Sequence, residues 1–499
     1  MSPYSPRIGA RLLSAVAVLL LALTAAAGAE APCADENNAT VEATCTEAGY
    51  TFIPHPETGG MTVVHLPALG HDYGEWADTA DGAARSRLCA RCGKVETHRI
   101  STVPEEGFPT LHLTGSLEGI DKKHRVTLEV NFASLEIAFT CFTQATLQGH
   151  STYGLPKHNY TLRFFQDADG SSKHKLQFST WGEEHKYILK ANYDDPTQCR
   201  NLMGARVWQE ITACRDNLAP RIAALPLKGA VGGFPVQVYL NDEYFGLYTL
   251  NLHKDDDLYG MEEGERAAIA ICNDQTMAEA LFRGRAAFLE NNESDWELEY
   301  CGTKDDAWAR DSFNALIDFV MTSTDEAFRQ NLSNHLDVDA AIDYLLHIYA
   351  LGLQRSGAKD LVMLSYGDVW IPSAYDMDEA FGLDARAQRY LAPEEFLPVL
   401  TEDGWDSATS SLLWDRLLDA FTPEICARYT ELRRSILSDD HLLQLVHEYI
   451  GSIPEAFYDM DMYLYEDRPL TAADMEAQIA AYIPARLAAL DEILEVDDQ

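Results

Sequence analysis

Between Thr127 and Leu250 several stretches carry apolar residues at every second position, and beyond about Asp305 the chain turns mostly to a spacing of three and four. A chain that changes period once in this way is committed to a strand-built part followed by a helix-built part. "TLEVNF" and "YTLRFF" alternate as half-buried strands do, and "FPVQVYL" and "EYFGLYTL" flank Asn241-Asp242, a pair suited to a two-residue hairpin turn. The later stretches "FNALIDFVM", "VDAAIDYLLHIYALGL", "SSLLWDRLLDAF" and "MEAQIAAYIPARLAALDEIL" carry helical spacing. One hairpin interrupts them, "LVMLSY" and "VWIPS" around Gly367-Asp368, and it runs directly into an Asp-x-Asp formed by Asp376 and Asp378. The expected fold class is α+β, with one domain over residues 104–499. A strand-rich first lobe, then a helical second lobe with an embedded hairpin ending in acids, is the order of a protein-kinase-like two-lobed domain.

The segment ahead of that domain is of another kind. Arg7 and Arg11 precede the apolar run "LLSAVAVLLLALTAAAG", and Ala27-Gly28-Ala29 is a small-x-small site, which predicts a secretory signal peptide over residues 1–29. No later stretch is long and apolar enough to span a bilayer, so the expected location is secreted or at the bacterial cell surface, with no transmembrane segment after cleavage. Residues 30–98 then hold four of the ten cysteines, Cys33, Cys45, Cys89 and Cys92. "RLCARCGKVETH" is a Cys-x2-Cys-Gly knuckle, so these four predict either one Zn²⁺ site or two disulfides stapling a segment too small to build much core. His71, in "GHDYGEW", reads as a surface histidine, although a ligand role is open to it. That stretch and the knuckle together resemble short Cys-containing modules ahead of catalytic or binding domains in secreted proteins of anaerobic bacteria. The other six cysteines are scattered and read as buried free thiols or isolated pairs.

A formal net charge of -41, spread along the chain, repels nucleic acid and anionic membrane surfaces and excludes both as partners. Neither a phosphate-binding P-loop, a dinucleotide Gly-x-Gly-x-x-Gly, a Gly-x-Ser-x-Gly elbow nor a His-Glu-x-x-His occurs, so a serine or metal hydrolase has no support. Phosphoryl transfer needs less covalent help: a cation on the phosphates, carboxylates or amides on Mg²⁺ or Mn²⁺, and a carboxylate that accepts the attacking hydroxyl's proton. Lys157 and Lys190, in strands of the first lobe, are candidates for the cation, and Arg200 is a further one. Asp376 and Asp378 are candidates for the metal, projecting from the same side of an extended strand while Met377 points into the core.

Three long blocks carry a resemblance. "EHKYILKANYDDPTQCRNLMGARVWQEI", "FPVQVYLNDEYFGLYTLNLHKDDDLYGM" and "WIPSAYDMDEAFGL", extended by "SSLLWDRLLDAF" and "IPEAFYDMD", resemble the CotH (spore coat protein H-like) family of atypical protein kinases over residues 105–497. The resemblance implies ATP and divalent metal as cofactors, and a secreted or surface protein substrate phosphorylated on serine or threonine. It also implies an Asp upstream of the hairpin, in a stretch like N-x-D-x-x-x-K-N. Here the chain reads "LGLQRSGAKDLVML": Lys359 aligns, Asp360 replaces the Asn, and Arg355 stands where the Asp belongs. No carboxylate occurs between Asp343 and Asp360, and an arginine accepts no proton at ordinary pH. Asp360 is therefore a candidate metal ligand and displaced base. Two expectations follow, a catalytically weakened CotH-like kinase and a pseudokinase serving as a binding or scaffold module.

Overall fold

The computed structural model describes residues 39–46, 48–55, 60–74, 77–78, 84–99, 107–149, 151–178, 181–289, 293–384, 389–465 and 470–494. The expected leader and Cys33 lie outside them. The chain forms two compact units that divide close to residue 98. The first holds two small sheets, β1 (Ala39–Val41), β2 (Gly49–His55) and β3 (Gly60–Leu66) in one, and β4 (Ala77–Asp78), β5 (Ala84–Leu88) and β6 (Val95–Arg99) in the other.

The second unit is mixed α+β. Seven strands, β7 (Thr110–Thr114), β8 (Val126–Ala133), β9 (Ala138–Gln148), β10 (Asn159–Phe165), β11 (Lys186–Lys190), β12 (Gly233–Leu240) and β13 (Glu243–Leu252), close into a barrel in the order β10-β11-β13-β12-β7-β8-β9. The alternation in β8 aims Leu128, Val130 and Phe132 inward. The interior is aromatic: Phe132 meets Phe178 and Phe139, each at 5.2 Å between ring centres. Asn241 and Asp242 both take positive φ, 51° and 65°, as the tight β12–β13 turn requires. Closure depends on a parallel pairing of β7 with β12, Leu111 opposite Val238, between residues far apart in sequence. The strand-rich part is thus a closed barrel without free edges, which local alternation does not announce.

Beyond the barrel, β14 (Ala268–Cys272), β15 (Trp296–Cys301), β16 (Leu361–Ser365) and β17 (Trp370–Ala374) form an antiparallel sheet ordered β15-β14-β16-β17. The expected hairpin is β16–β17. Its neighbour β14 escaped the sequence reading because all five of its residues are buried, leaving no alternation to see. The main helices are α1 (Arg200–Ala213), α2 (Ala307–Thr322), α3 (Val338–Leu351), α4 (Leu412–Arg433), α5 (Asp439–Gly451), α6 (Glu455–Leu464) and α7 (Ala472–Ile493). At the centre, α3 is capped by the Asp337 carboxylate, which accepts from the Ala340 amide at 2.9 Å, and is ended by Gly352 at φ 66°. Every residue from Ala340 to Leu351 is buried, and the helix packs on β17, α1, α4 and α7. Its Asp343 binds Arg215 and Arg428, both at 2.8 Å, tying α3 to the chain after α1 and to α4. No described helix is long and apolar enough to cross a membrane. All nine described cysteines are free thiols.

Candidate functional site

A cleft of about 580 Å³ opens within the second unit where the barrel meets the four-stranded sheet. Three elements deliver its charged residues. Lys190 is the last residue of β11. The β16–β17 register sets Leu361 opposite Ala374, so Asp360, just before one strand, and Asp376, just after the other, emerge at the same end of the hairpin. Arg355 lies in a single 3-10 turn between α3 and β16. Asp360 and Asp376 both hold left-handed backbone, φ 63° and 53°, conformations that cost non-glycine residues about 1–3 kcal/mol and that gather at functional sites.

The charges are tightly engaged. Lys190 Nζ donates to Asp376 Oδ1 at 2.5 Å. The Arg355 guanidinium stands 3.3 Å from Asp378, 3.6 Å from Asp360 and 2.9 Å from Glu379. Burial pushes the Asp360 carboxyl up to about 8, helped by Asp376 and opposed by Arg355. Burial and Asp376 likewise raise Asp378 to about 6, and burial raises Glu379 to about 7. Burial disfavours ionised Asp376 as well, yet the Lys190 charge and hydrogen bond hold its carboxyl below the usual range. The clustered carboxylates of Asp360, Asp376 and Asp378 are hard oxygen donors of the kind that suits Mg²⁺ or Mn²⁺. Among the described residues, the groups whose ligand atoms already crowd within 4.8 Å lie elsewhere, because here each acid leans on a cation of the protein.

The sequence candidates separate accordingly. Lys190, Asp360, Asp376, Asp378 and Arg355 all line the cleft. Lys157 does not: fully buried, it is bound by both oxygens of Asp461 at 2.9 Å and donates to the Leu247 carbonyl, lining only a small adjoining recess. Its ammonium is in a core ion pair joining barrel to α6, so of the two lysines that are alternatives for the phosphate cation it is Lys190 that lines the cleft. Arg200 is also buried, donating to the carbonyls of Ala380 and Phe381 at 2.5 and 3.2 Å and to Gln478 at 2.6 Å. It braces the turn that follows Asp378 and does not reach the cleft. The Asp-x-Asp itself is a correction in geometry: β17 ends at Ala374, so the two acids sit on a turn and face different cations, while Met377 is buried as expected.

Lys254, Lys359, Arg310 and Asn159 line the same cleft. Lys254 sits over the Tyr375 ring at 5.2 Å and 3.6 Å from Glu299, although its run "KDDDLYGMEEGE" reads as a solvated loop. No local signal marks it. Glu379 was equally invisible, one residue past a motif that already accounted for the acids.

Fold and site together define a class: a mixed α+β protein whose cleft sets paired cations against a cluster of carboxylates at the open end of a hairpin. The chain belongs to the CotH kinase protein family, whose model matches residues 146–489, most of the chain. The match begins within β9, so the first barrel strands precede it. No curated protein matches the chain.

Proposed function

We propose that this protein is a secreted CotH-like kinase, built as a two-lobed kinase-like domain, that binds ATP with Mg²⁺ or Mn²⁺ in the cleft and transfers phosphate to serine or threonine of extracellular or coat proteins at a reduced rate. The carrying observation is the convergence of Lys190, Asp360, Asp376 and Asp378 at one end of the hairpin. Asp376 and Asp378 would hold the metal, with Asp360 beside them, and Lys190 would bind phosphate oxygens. The metal supplies charge neutralisation across the phosphates. Phe288 and Leu289 give the cleft an apolar wall suited to a nucleobase. Asp360 is the acid positioned just before the hairpin to accept a hydroxyl proton, and it would do so in its ionised form, which the neighbouring Arg355 and a bound metal would favour against the effect of burial.

Arg355 favours a second reading. Its ion pairs to Asp360 and Asp378 occupy the acids that metal and substrate hydroxyl would use, as in a pseudokinase that binds a partner without transferring phosphate. Nucleotide binding with Mn²⁺, followed by autophosphorylation, separates the two. Binding that vanishes in Asp376→Asn with Asp378→Asn, together with slow transfer lost in Asp360→Ala, supports the weakened kinase. Binding with no transfer supports the pseudokinase, and vigorous transfer that survives Asp360→Ala sinks the assignment of the base.

A further inference from the structure

In the first unit Cys45, His71, Cys89 and Cys92 each bring one ligand atom to within 4.8 Å of the others. Cys45 Sγ and Cys89 Sγ are 3.8 Å apart, and Cys92 Sγ lies 3.3 Å from His71 Nδ1. A disulfide would need about 2.05 Å. A tetrahedral ion with metal–sulfur bonds of about 2.3 Å and metal–nitrogen bonds of about 2.0–2.1 Å instead sets sulfur–sulfur edges near ~3.8 Å and sulfur–nitrogen edges near ~3.5 Å. The observed separations fit those edges.

The surrounding backbone is organised for the same end. Cys89 and Cys92 stand on the turn between β5 and β6, where the Cys89 amide donates to Lys94 O at 2.8 Å, the Gly93 amide donates to Cys89 O at 2.9 Å, and Gly93 takes φ 73°. The Asp72 amide donates to Cys89 Sγ at 3.2 Å. Arg91 donates to the carbonyls of Leu69 and Gly70 at 2.5 and 3.1 Å, which clamps the His71 loop over the knuckle, and the Leu69 amide donates to Thr44 O beside Cys45 at 2.8 Å. Three separate chain segments are thus locked around one point. Two of the four, Cys45 and Cys89, are buried. A segment as short as residues 30–98 builds little core of its own, and a metal staple helps to hold such a fold.

We propose that Cys45, His71, Cys89 and Cys92 form a structural Zn²⁺ site that organises the first unit. Three thiolates and one imidazole select Zn²⁺ over Mg²⁺ or Ca²⁺, and four protein ligands leave no open position for catalysis. The set is complete without Cys33, the ligand expected from sequence, and it takes His71 from the surface role expected of it. The site shares no residue with the cleft.

The test is metal content and Co²⁺ spectroscopy on the full chain, purified reduced. About one Zn²⁺ per chain is expected, and Co²⁺ exchange should give intense tetrahedral visible bands with sulfur-to-cobalt charge transfer, which the carboxylate cleft cannot produce. Cys33→Ser and Asp376→Asn with Asp378→Asn should keep the full equivalent. His71→Ala and Cys92→Ser should lose most of it, and His71→Cys should restore it with a spectrum shifted towards four sulfurs. Should the first two of these variants fail to fold, His71→Cys and Cys33→Ser decide. Loss of metal in Cys33→Ser, an unchanged spectrum in His71→Cys, or a zinc-free protein whose unreduced peptide map joins Cys45 to Cys89 would each overturn the proposal.

Discussion

Arg355 and Glu379 stand 2.9 Å apart, and the pair explains both why an arginine is tolerated at this place and how to test its effect. Replacing Arg355 by Asp alone would leave Glu379, already pushed up to about 7 by burial, facing three further carboxylates. We expect Arg355→Asp to raise autophosphorylation at least about tenfold, part of what a well-placed base contributes, and the double change with Glu379→Gln to do so with a higher melting temperature. Filter-bound radiolabelled phosphate and thermal melts measure the two halves of that expectation. Asp343 shows the opposite case, an acid with no chemical role. Its bonds to Arg215 and Arg428 are buried, so Asp343→Asn should cost about 3–5 kcal/mol in denaturant unfolding, chiefly by leaving the buried Arg215 charge unbalanced, since Arg428 keeps its pair with Glu431. His347 carries a pH dependence. Its Nε2 lies 3.0 Å from the Gly204 carbonyl in a fully buried setting, and burial lowers its pKa from about 6.5 to about 4. The unfolded chain then binds the extra proton first. Stability from this group is present above about pH 6.5 and is lost as pH falls through about 4. Unfolding curves at several pH values should show a shallower acid slope in His347→Gln than in wild type; equal slopes would mean that the ring is already charged in the native state.

The hairpin β16–β17 is the element that makes the site, because its register brings Asp360 and Asp376 to one end. Its acid-bearing turn is held from behind by α1, through Arg200 on the Ala380 and Phe381 carbonyls and through close packing at Gly204. A Cβ at Gly204 would sit 2.9 Å from Met377 Cβ and 3.3 Å from its Sδ. Gly204→Ala should therefore cost about 1–3 kcal/mol by overpacking, and it should weaken Mn²⁺-dependent nucleotide binding by moving Met377 between the two acids. Isothermal titration beside a melting curve checks both. Unchanged affinity at reduced stability would show that the turn's position does not matter to binding.

At the scale of the molecule the two proposed sites predict separate responses to their ligands. Hydrogen exchange read peptide by peptide should rise over residues 60–97 when a chelator removes zinc, whereas Mn²⁺ with nucleotide should protect the ends of β11 and β16. Much of this organisation was legible locally. The barrel strands that alternate, the Asn241-Asp242 turn and the β16–β17 hairpin could be read from residue order, because side-chain alternation and turn conformation are set by near neighbours, whereas helix α1, set between β11 and β12, breaks the simple order of strands before helices. The CotH blocks were equally plain. Other features needed the folded chain. Barrel closure depends on the parallel β7–β12 pair, and β14 shows no period because the sheet buries both its faces. Lys157 and Lys190 look alike in sequence, yet strand position buries one against Asp461 and sets the other on Asp376. His71 beside Cys92, and Glu379 against Arg355, are likewise contacts set by the folded chain. Sequence by itself determined the elements and the chemical types on offer, since those follow from local geometry. Which of those side chains meet was decided only by tertiary packing, where residues hundreds of positions apart compete for the same few ångströms.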